Sequence, residues 1–297
     1  MRPRGPDESG DVDRDGVRIH WDRYGDGDIT VVLLPTWALF PIDHWKFQVP
    51  SLARRFRTIT IEGRGRGRSG VPTGADAYTV DSYVGDIVAV LDATGTDRAI
   101  LAGLSRGAMW AIAAAAAWPD RVSGVVAIAP AVPVAGIVLL DRNMFEADLD
   151  TTDGWAKYNA HHWRRDYGDF VGFFVDQMFP EPHSTKVLED GVAWGTAADV
   201  DMMILATCDA HLSSDTWFRS VVARVECPVL VVHGEGDRIR PHSAGAALAE
   251  LTGGELVTIV GAGHAPHLRD PVFVNRIVRE FVERVGSNRS QTAGAAR

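Results

Sequence analysis

Short apolar runs alternate with amphipathic segments along the first half of the chain. Four of these runs have the length of strands: 29–34, 57–61, 99–102 and 122–128. Because a strand covered on both faces reads as an unbroken hydrophobic stretch, the runs predict a mostly parallel sheet between two layers of helices. Apolar side chains at helical spacing predict connecting helices at 43–56, with a kink at Pro50, and at 80–94.

The pattern changes after residue 131 and returns near residue 216. The segment between them lacks strand-like runs and is rich in aromatic residues at helical spacing, which predicts a helical lid inserted at 134–215. Beyond it, the expected core is completed by helices at 217–225, 243–251 and 271–285 and by strands at 229–233 and 256–260. The chain is therefore predicted to form one α/β core in two parts, 1–133 and 216–297, separated by the lid.

The two ends of the chain carry weaker patterns. Residues 1–10 show no periodicity and are predicted to be disordered, and 286–297 are predicted to be a frayed tail. Between the first of these segments and the core, the turn residues Asp15 and Gly16 divide two short polar and apolar stretches at 12–24. This arrangement predicts a β-hairpin.

Composition and charge narrow the class of protein. The 39 acidic and 30 basic residues give a formal charge of −9, which argues against a general nucleic-acid surface. Cys208 and Cys227 have no metal-ligand spacing and imply no disulfide framework, so a reducing cytoplasm is expected. The first ten residues lack the apolar core of a signal peptide, and the uncharged run at 122–140 contains prolines and glycines that argue against a membrane span. A small-molecule substrate is expected, and the oligomeric state is left undetermined.

A serine lies between two glycines at the end of the third predicted core strand. Gly103-Leu104-Ser105-Arg106-Gly107 follows the run 99–102 and precedes an Ala-rich helix. Glycines two positions before and after a residue suit a sharp strand-to-helix turn, in which the backbone passes close to a strained central residue. Ser105 is thus a candidate nucleophile, although a glycine-bounded turn with a surface serine gives the same letters.

Asp237 and His264 strengthen the first interpretation. Each follows a buried strand, so that a serine, a carboxylate and a histidine succeed one another at strand ends. With the segment 62–69, which is similar to the D-x-R-G-x-G-x-S stretch, these turns make the chain resemble the α/β-hydrolase family. The resemblance implies an α/β-hydrolase fold in which Ser105 is the nucleophile, His264 the base and Asp237 the acid that orients His264.

The same resemblance implies an oxyanion hole formed by the backbone N–H groups of Trp37 and Arg106. Pro35 and Thr36 stand where the family usually has His-Gly, so this loop departs from the pattern. Both Trp37, as a wall of the pocket, and Arg106, as a partner for an anionic group, are also candidates for substrate contact. The alternative for Trp37 is a position in the core, without contact with substrate. The alternative for Arg106 is a salt bridge to the predicted lid.

Several residues compete for these roles. His267 competes with His264, and Glu235 competes with Asp237; no carboxylate occurs at 129–133, where some relatives carry the acid. Three other patterns could indicate a ligand site, but we prefer a structural role for each. The adjacent histidines at 161–162 and the histidine and carboxylates at 233–237 could bind a metal. The spacing Gly65-x-Gly67-x-x-Gly70 could bind a nucleotide, but no helix follows it directly. No cofactor and no metal are expected.

The expected reaction is cleavage of a small, apolar ester or lactone through an acyl-serine. Serine rather than aspartate at position 105 disfavours the alkyl-enzyme route of dehalogenases and epoxide hydrolases. C–C bond hydrolysis, amide cleavage, acyl transfer and perhydrolysis use the same parts and stay as alternatives. A ligand-binding protein on the hydrolase scaffold is the alternative outside catalysis.

Overall fold

One sheet of eight strands forms the centre of the computed structural model, which describes residues 5–134, 141–182 and 185–295. The strands are β1 (Glu8–Arg14), β2 (Val17–Tyr24), β3 (Thr30–Leu33), β4 (Arg57–Ile61), β5 (Ala99–Leu104), β6 (Val122–Ile128), β7 (Val229–Gly234) and β8 (Glu255–Ile259). Their order is β1-β2-β4-β3-β5-β6-β7-β8; β2 runs antiparallel to both β1 and β4, and the strands from β4 to β8 in this order are parallel to one another. The predicted hairpin and the mostly parallel sheet are confirmed.

Helices cover both faces of this sheet. They are α1 (Val49–Leu52), α2 (Val80–Ala93), α3 (Arg106–Ala117), α4 (Arg142–Glu146), α5 (Ala160–Met178), α6 (Lys186–Thr196), α7 (Val200–Leu205), α8 (Asp215–Val222), α9 (His242–Thr252), α10 (Pro266–Arg269) and α11 (Pro271–Ala295). Val32 packs with the layer of α2, α3, α8 and α9, whereas its neighbour Val31 packs with α1 and α11. Because successive strand residues face opposite layers, both must be apolar, which explains the unbroken hydrophobic runs.

The helices α4 to α7 lie between β6 and α8, in the range predicted for the lid. The described residues of this range form helices and turns without a strand. Their aromatic rings gather around Trp37 in the loop after β3: its ring centroid is 5.6 Å from Tyr158, 5.8 Å from Trp163 and 5.4 Å from Phe174. These contacts fasten the helices over the carboxyl ends of the strands. The division into a core and a lid at 134 and 215 stays a prediction.

Both ends of the chain are more regular than predicted. Strand β1 begins at Glu8, so the expectation of disorder over 1–10 is wrong for 8–10, while 1–4 lie outside the described residues. Pairing with β2, in register from Glu8 opposite Arg23, orders this polar edge strand. Helix α11 continues to Ala295, so most of 286–297 is helical rather than frayed, and positions 296–297 lie outside the description.

The segment 43–56 forms two short elements instead of one helix. A 3-10 turn at Ile42–Trp45 is followed by α1, in whose first turn Pro50 lies. The missing N–H of a proline has no intrahelical partner to lose there, so Pro50 helps to begin a helix and does not kink one. The run at 122–140 begins with β6 as predicted, and its last residues, 135–140, lie outside the described part. Of the helices in that part, none is both long and apolar enough to cross a bilayer.

Candidate active site

Ser105 occupies the sharp turn between β5 and α3. Its backbone has φ 55° and ψ −114°, and residues other than glycine rarely adopt a positive φ. The Ser105 N–H donates to the carbonyl of Ile128 at 2.9 Å, and the Ser105 carbonyl accepts from Ala108 N–H at 3.1 Å. Such a conformation costs on the order of 1–3 kcal/mol and persists because the surrounding elements fix it.

The two flanking glycines are required by close approach of the backbone. A β-carbon at position 103 would lie 2.3 Å from the backbone of Gly107, and one at position 107 would lie 2.3 Å from the carbonyl oxygen of Pro35. No side chain fits at either distance. The sequence interpretation of Gly103 and Gly107 as elements of a tight turn is therefore confirmed.

Asp237 and His264 are hydrogen-bonded to each other. Asp237 Oδ2 lies 2.7 Å from His264 Nδ1, and Asp237 Oδ1 accepts the backbone N–H groups of Ile239 at 2.8 Å and Arg240 at 2.9 Å. Burial raises the pKa of the Asp237 carboxyl, but the charge of His264 and hydrogen bonds from His233 and His264 outweigh burial and hold it below its ordinary value. Asp237 is thus a fixed carboxylate against one nitrogen of His264.

His264 faces the same pocket as Ser105. Its ring is 2% exposed, and its backbone N–H donates to the carbonyl of Met178, the last residue of α5, at 2.8 Å. Asp237 engages Nδ1, and among the described residues no hydrogen bond joins Nε2 to Ser105 Oγ, so the pairing of His264 with Ser105 stays a prediction. The pocket is partly open to solvent, spans about 260 Å³ including that open part, and is lined by Thr36, Trp37, Leu39, Phe40, Leu104, Ser105, Phe174, Met178 and His264. Its walls are mainly apolar.

The loop after β3 is tied to the serine turn. The Thr36 hydroxyl donates to the carbonyl of Leu104 at 2.8 Å, which holds Trp37 beside Ser105. Throughout 5–134, 141–182 and 185–295, the backbone N–H groups of Trp37 and Arg106 have no acceptor within hydrogen-bond distance. Two unbound N–H groups next to the serine suit the predicted oxyanion hole, which stays a prediction.

The Arg106 guanidinium points towards the helices in the range predicted for the lid. It donates to the carbonyl of Ala206 at 2.5 Å, lies 3.5 Å from the Tyr158 hydroxyl and stacks over the Trp37 ring at 4.9 Å. Its partner in the lid is thus a carbonyl, and no carboxylate of the described residues pairs with it. Arg106 is absent from the residues lining the pocket around Ser105, so its contact with substrate stays a prediction.

The competing residues lie elsewhere. His267 is fully buried, and its Nε2 is 3.2 Å from Nδ1 of His44, outside the pocket that contains Ser105. The Glu235 side chain is exposed and contacts the N–H of Gly261 at 3.4 Å. Neither residue reaches Ser105 or His264 in the way that Asp237 reaches His264.

The other clusters of candidate ligands have protein partners. His161 Nε2 contacts the Glu146 carbonyl at 3.1 Å, whereas His162 Nε2 lies 2.9 Å from Asp169. A group that the sequence does not reveal, His20, Asp22 and Glu62, has ligand atoms within 4.8 Å of one another. Arg68 lies 2.5 Å from Asp22 and 2.8 Å from Glu62, so an arginine already neutralises these carboxylates.

A larger recess of about 400 Å³, including space open to solvent, adjoins the pocket that holds Ser105 and His264. It is lined by residues of the loops at 35–43 and 62–67 and shares Thr36 and Phe40 with the smaller pocket, but it contains neither Ser105 nor His264. Size alone therefore does not mark the site of chemistry. We assign that role to the pocket that holds the serine and the histidine.

Comparison with known proteins decides the family. The sequence profile of the alpha/beta hydrolase fold matches residues 29–271, a range that includes Ser105, Asp237 and His264. The chain belongs to the α/β-hydrolase fold family. This α/β-hydrolase is 26% identical over 279 residues to the bifunctional esterase/perhydrolase DCH of Acinetobacter calcoaceticus, covering 91% of this chain and 97% of that protein.

Two further similarities extend over most of the chain. The pimeloyl-[acyl-carrier protein] methyl ester esterase of Sodalis glossinidius is 24% identical over 257 residues, 86% of this chain and 94% of that one. Among solved structures, Est816, described as an N-acyl homoserine lactone degrading enzyme, superposes with a TM-score of 0.76 at 26% identity, over 92% of this chain and 100% of that chain. This α/β-hydrolase is accordingly an enzyme.

Some pocket residues of this α/β-hydrolase are not singled out by the sequence. Phe174 and Met178 line the pocket, whereas the adjacent Phe173 packs against Trp155 with ring centroids 5.2 Å apart. The one signal for this difference is that Phe174 and Met178 are four residues apart and therefore share a helix face. Which face meets the serine depends on how α5 docks.

Proposed function

We propose that this α/β-hydrolase is a serine hydrolase that cleaves a small, apolar carboxylic ester or lactone through an acyl-serine intermediate. The observation that carries the proposal is the position of His264, whose Nδ1 lies 2.7 Å from Asp237 Oδ2 and whose ring lines the pocket of Ser105. A serine hydroxyl needs a base to take its proton during attack, and imidazole titrates near neutral pH.

Acylation begins when Ser105 Oγ attacks the carbonyl carbon and its proton passes to His264 Nε2. Asp237 stabilises the imidazolium that forms. The carbonyl oxygen becomes an oxyanion that accepts the N–H groups of Trp37 and Arg106, each lowering the barrier by about 3–4 kcal/mol. His264 then gives the proton to the leaving oxygen, the C–O bond breaks, and an acyl-serine and an alcohol result.

Deacylation repeats these steps with water as the nucleophile. His264 takes one proton from water as its oxygen attacks the acyl carbon, and returns that proton to Ser105 Oγ when the acyl–oxygen bond breaks. The product is a carboxylic acid, and the serine is restored. In a lactone the alcohol and the acid remain within one product molecule.

The pocket supports a small, apolar acyl group. Leu39, Phe40, Phe174 and Met178 line this pocket, which is partly open to solvent, with the hydroxyl of Thr36 as one of few polar groups. Apolar walls stabilise apolar groups by removing them from water. The similarity to a methyl ester esterase and to a lactone-degrading enzyme supports the same substrate class.

Perhydrolysis is the second candidate, because a similar protein is named as an esterase and perhydrolase. Hydrogen peroxide would replace water in deacylation, attack the acyl carbon and leave as a peroxycarboxylic acid, with Ser105 restored. Both reactions share the acyl-serine. Adding hydrogen peroxide to the ester assay and measuring peroxyacid formation separates them.

The test compares the wild type with two serine variants on p-nitrophenyl acetate and butyrate. We expect Ser105→Ala to lose at least about a thousandfold in kcat/KM, because it removes the nucleophile. Ser220→Ala is the matched control, since its exposed hydroxyl only caps the Trp217 carbonyl at 2.7 Å. Mass spectrometry after treatment with a fluorophosphonate is expected to find the adduct on Ser105.

Equal rates for the wild type and Ser105→Ala would remove the proposal. Thermal stabilisation by esters or lactones without turnover would instead favour a ligand-binding protein on this fold.

A further inference from the structure

A second histidine contacts the carboxylate that holds His264. His233 is the fifth residue of β7 and is fully buried. Its Nε2 lies 3.0 Å from Asp237 Oδ2, the same oxygen that accepts from His264 Nδ1 at 2.7 Å. One carboxylate oxygen is therefore shared by two imidazoles.

The contacts of His233 fix its tautomer. The same Nε2 lies 3.1 Å from the backbone carbonyl of Arg240, and neither a carbonyl nor a carboxylate can donate a hydrogen bond. The proton must therefore be on Nε2, where it is shared between two acceptors. Nδ1 is buried and has no hydrogen-bond partner among the described residues, so no acceptor there would stabilise a second proton on the ring.

Packing leaves no room for a partner at that nitrogen. A β-carbon at Gly245, in α9, would lie 2.3 Å from His233 Nδ1, so the helix backbone closes off this side of the ring. The other titratable ring nearby is His242, at the start of α9, with ring centroids 5.6 Å apart, and its Nε2 contacts the Thr258 hydroxyl at 2.8 Å. His233 is thus confined as a neutral donor to Asp237.

We propose that His233 is a positioning residue, which fixes the Asp237 carboxylate and limits how strongly that carboxylate stabilises protonated His264. The inference rests on the proposed function, in which His264 is the base. A neutral donor that hydrogen-bonds to Oδ2 reduces the electrostatic attraction between this carboxylate and the His264 imidazolium. It also restricts rotation of the carboxyl group, whose other oxygen is held by the N–H groups of Ile239 and Arg240.

Removing the donor has two expected effects. Asp237 Oδ2 then accepts from His264 without a second donor, while Oδ1 keeps the N–H groups of Ile239 and Arg240. The imidazolium is therefore more stable, and the acid limb of the pH profile of kcat/KM moves to higher pH. The carboxylate is also less well held, so kcat falls. A residue that only fills space would change neither the pH profile nor kcat relative to a variant of the same shape.

The test uses two variants of matched shape. His233→Gln retains an N–H donor near the position of Nε2, whereas His233→Met has a similar length and no donor. We expect His233→Met to lose about tenfold in kcat and to shift the acid limb upward by about half a pH unit or more, as loss of a hydrogen bond to a charged group implies. We expect His233→Gln to keep the wild-type pH profile, with kcat within about threefold.

A second measurement reads the tautomer of His233 in the wild type, and a variant serves only to identify the signals. In ¹⁵N spectra of the wild type, with the signals of His233 identified by their loss in His233→Gln, we expect the Nε2–H tautomer. An Nδ1–H tautomer would overturn the proposal. So would identical pH profiles and kcat values for the Met and Gln variants.

The two proposals fail in different ways. Wild-type turnover by Ser105→Ala would contradict the serine mechanism, whereas the tautomer of His233 is read without any substrate. The expected loss of activity in Ser105→Ala together with an Nδ1–H tautomer of His233 would contradict the positioning role alone.

Discussion

His267 and His44 form a buried pair beside the catalytic loop, and replacing His267 is expected to change how stability depends on pH. His267 Nε2 is 3.2 Å from His44 Nδ1, and both rings are fully buried. Burial and the charge of neighbouring His264 lower the pKa of His267 to about 3. Burial likewise holds the pKa of His44 well below its ordinary value.

The sign of the effect follows from proton binding by the two states. In the unfolded chain a histidine has a pKa of about 6.5, so below that pH the unfolded state binds a proton that folded His267 does not. The free energy of unfolding therefore falls as the pH decreases from about 6.5 towards 3. At about pH 5 the difference of about 1.5 pH units corresponds to a loss of about 2 kcal/mol from His267.

Urea unfolding followed by tryptophan fluorescence at about pH 7.5 and pH 5 measures this quantity. Between about pH 7.5 and pH 5, we expect the free energy of unfolding of His267→Gln to fall by about 2 kcal/mol less than that of the wild type. This difference does not depend on how stable the variant is at about pH 7.5. His161→Gln is the matched control, because the His161 ring is exposed. If the wild type and both variants lost the same free energy within about 0.5 kcal/mol, the reasoning from burial would be refuted.

Three further predictions concern the site itself. Asp237→Asn is expected to reduce kcat/KM on p-nitrophenyl butyrate by about 10³–10⁴, because an amide does not hold the Nδ1–H tautomer of the base, whereas exposed Glu235→Gln leaves the rate unchanged. Gly107→Ala brings a β-carbon to 2.3 Å from a carbonyl oxygen of the β3 loop, so the free energy of unfolding in urea should fall by about 1–3 kcal/mol; an unchanged value would contradict this contact. Phe174→Ala removes a pocket wall and should raise the octanoate-to-butyrate ratio of kcat/KM by at least about tenfold, whereas Phe173→Ala should not; equal ratios would reject Phe174 as a limit on acyl length.

The serine turn could be predicted because its geometry is local. Gly103 and Gly107 are needed by backbone contacts within a few residues of Ser105 and with the adjacent loop, and these leave a recognisable spacing. The order of Asp237 and His264 after their strands could be predicted for a related reason: parallel strands end at the same edge of the sheet. Burial of the strands then follows from their unbroken apolar runs.

Contacts between distant segments could not be predicted in this way. The carbonyl partner of the Arg106 guanidinium, at Ala206, is set by the docking of the lid and leaves no local pattern. The bond from His233 to Asp237 depends on the path of the loop after β7. The start of strand β1, residues 8–10, was predicted to be disordered for a different reason, because an edge strand with many exposed polar residues lacks the hydrophobic alternation of a buried strand.

The hydrogen bond from His264 N–H to the Met178 carbonyl ties the end of α5 to the loop that carries His264. Gly263 reinforces this union, since a β-carbon there would lie 2.3 Å from the same carbonyl oxygen. Lifting this end of the helix would carry the imidazole away from Asp237 and disable the enzyme while it was open. In the proposed mechanism, exchange of substrate and product therefore requires this end of α5 to stay in place.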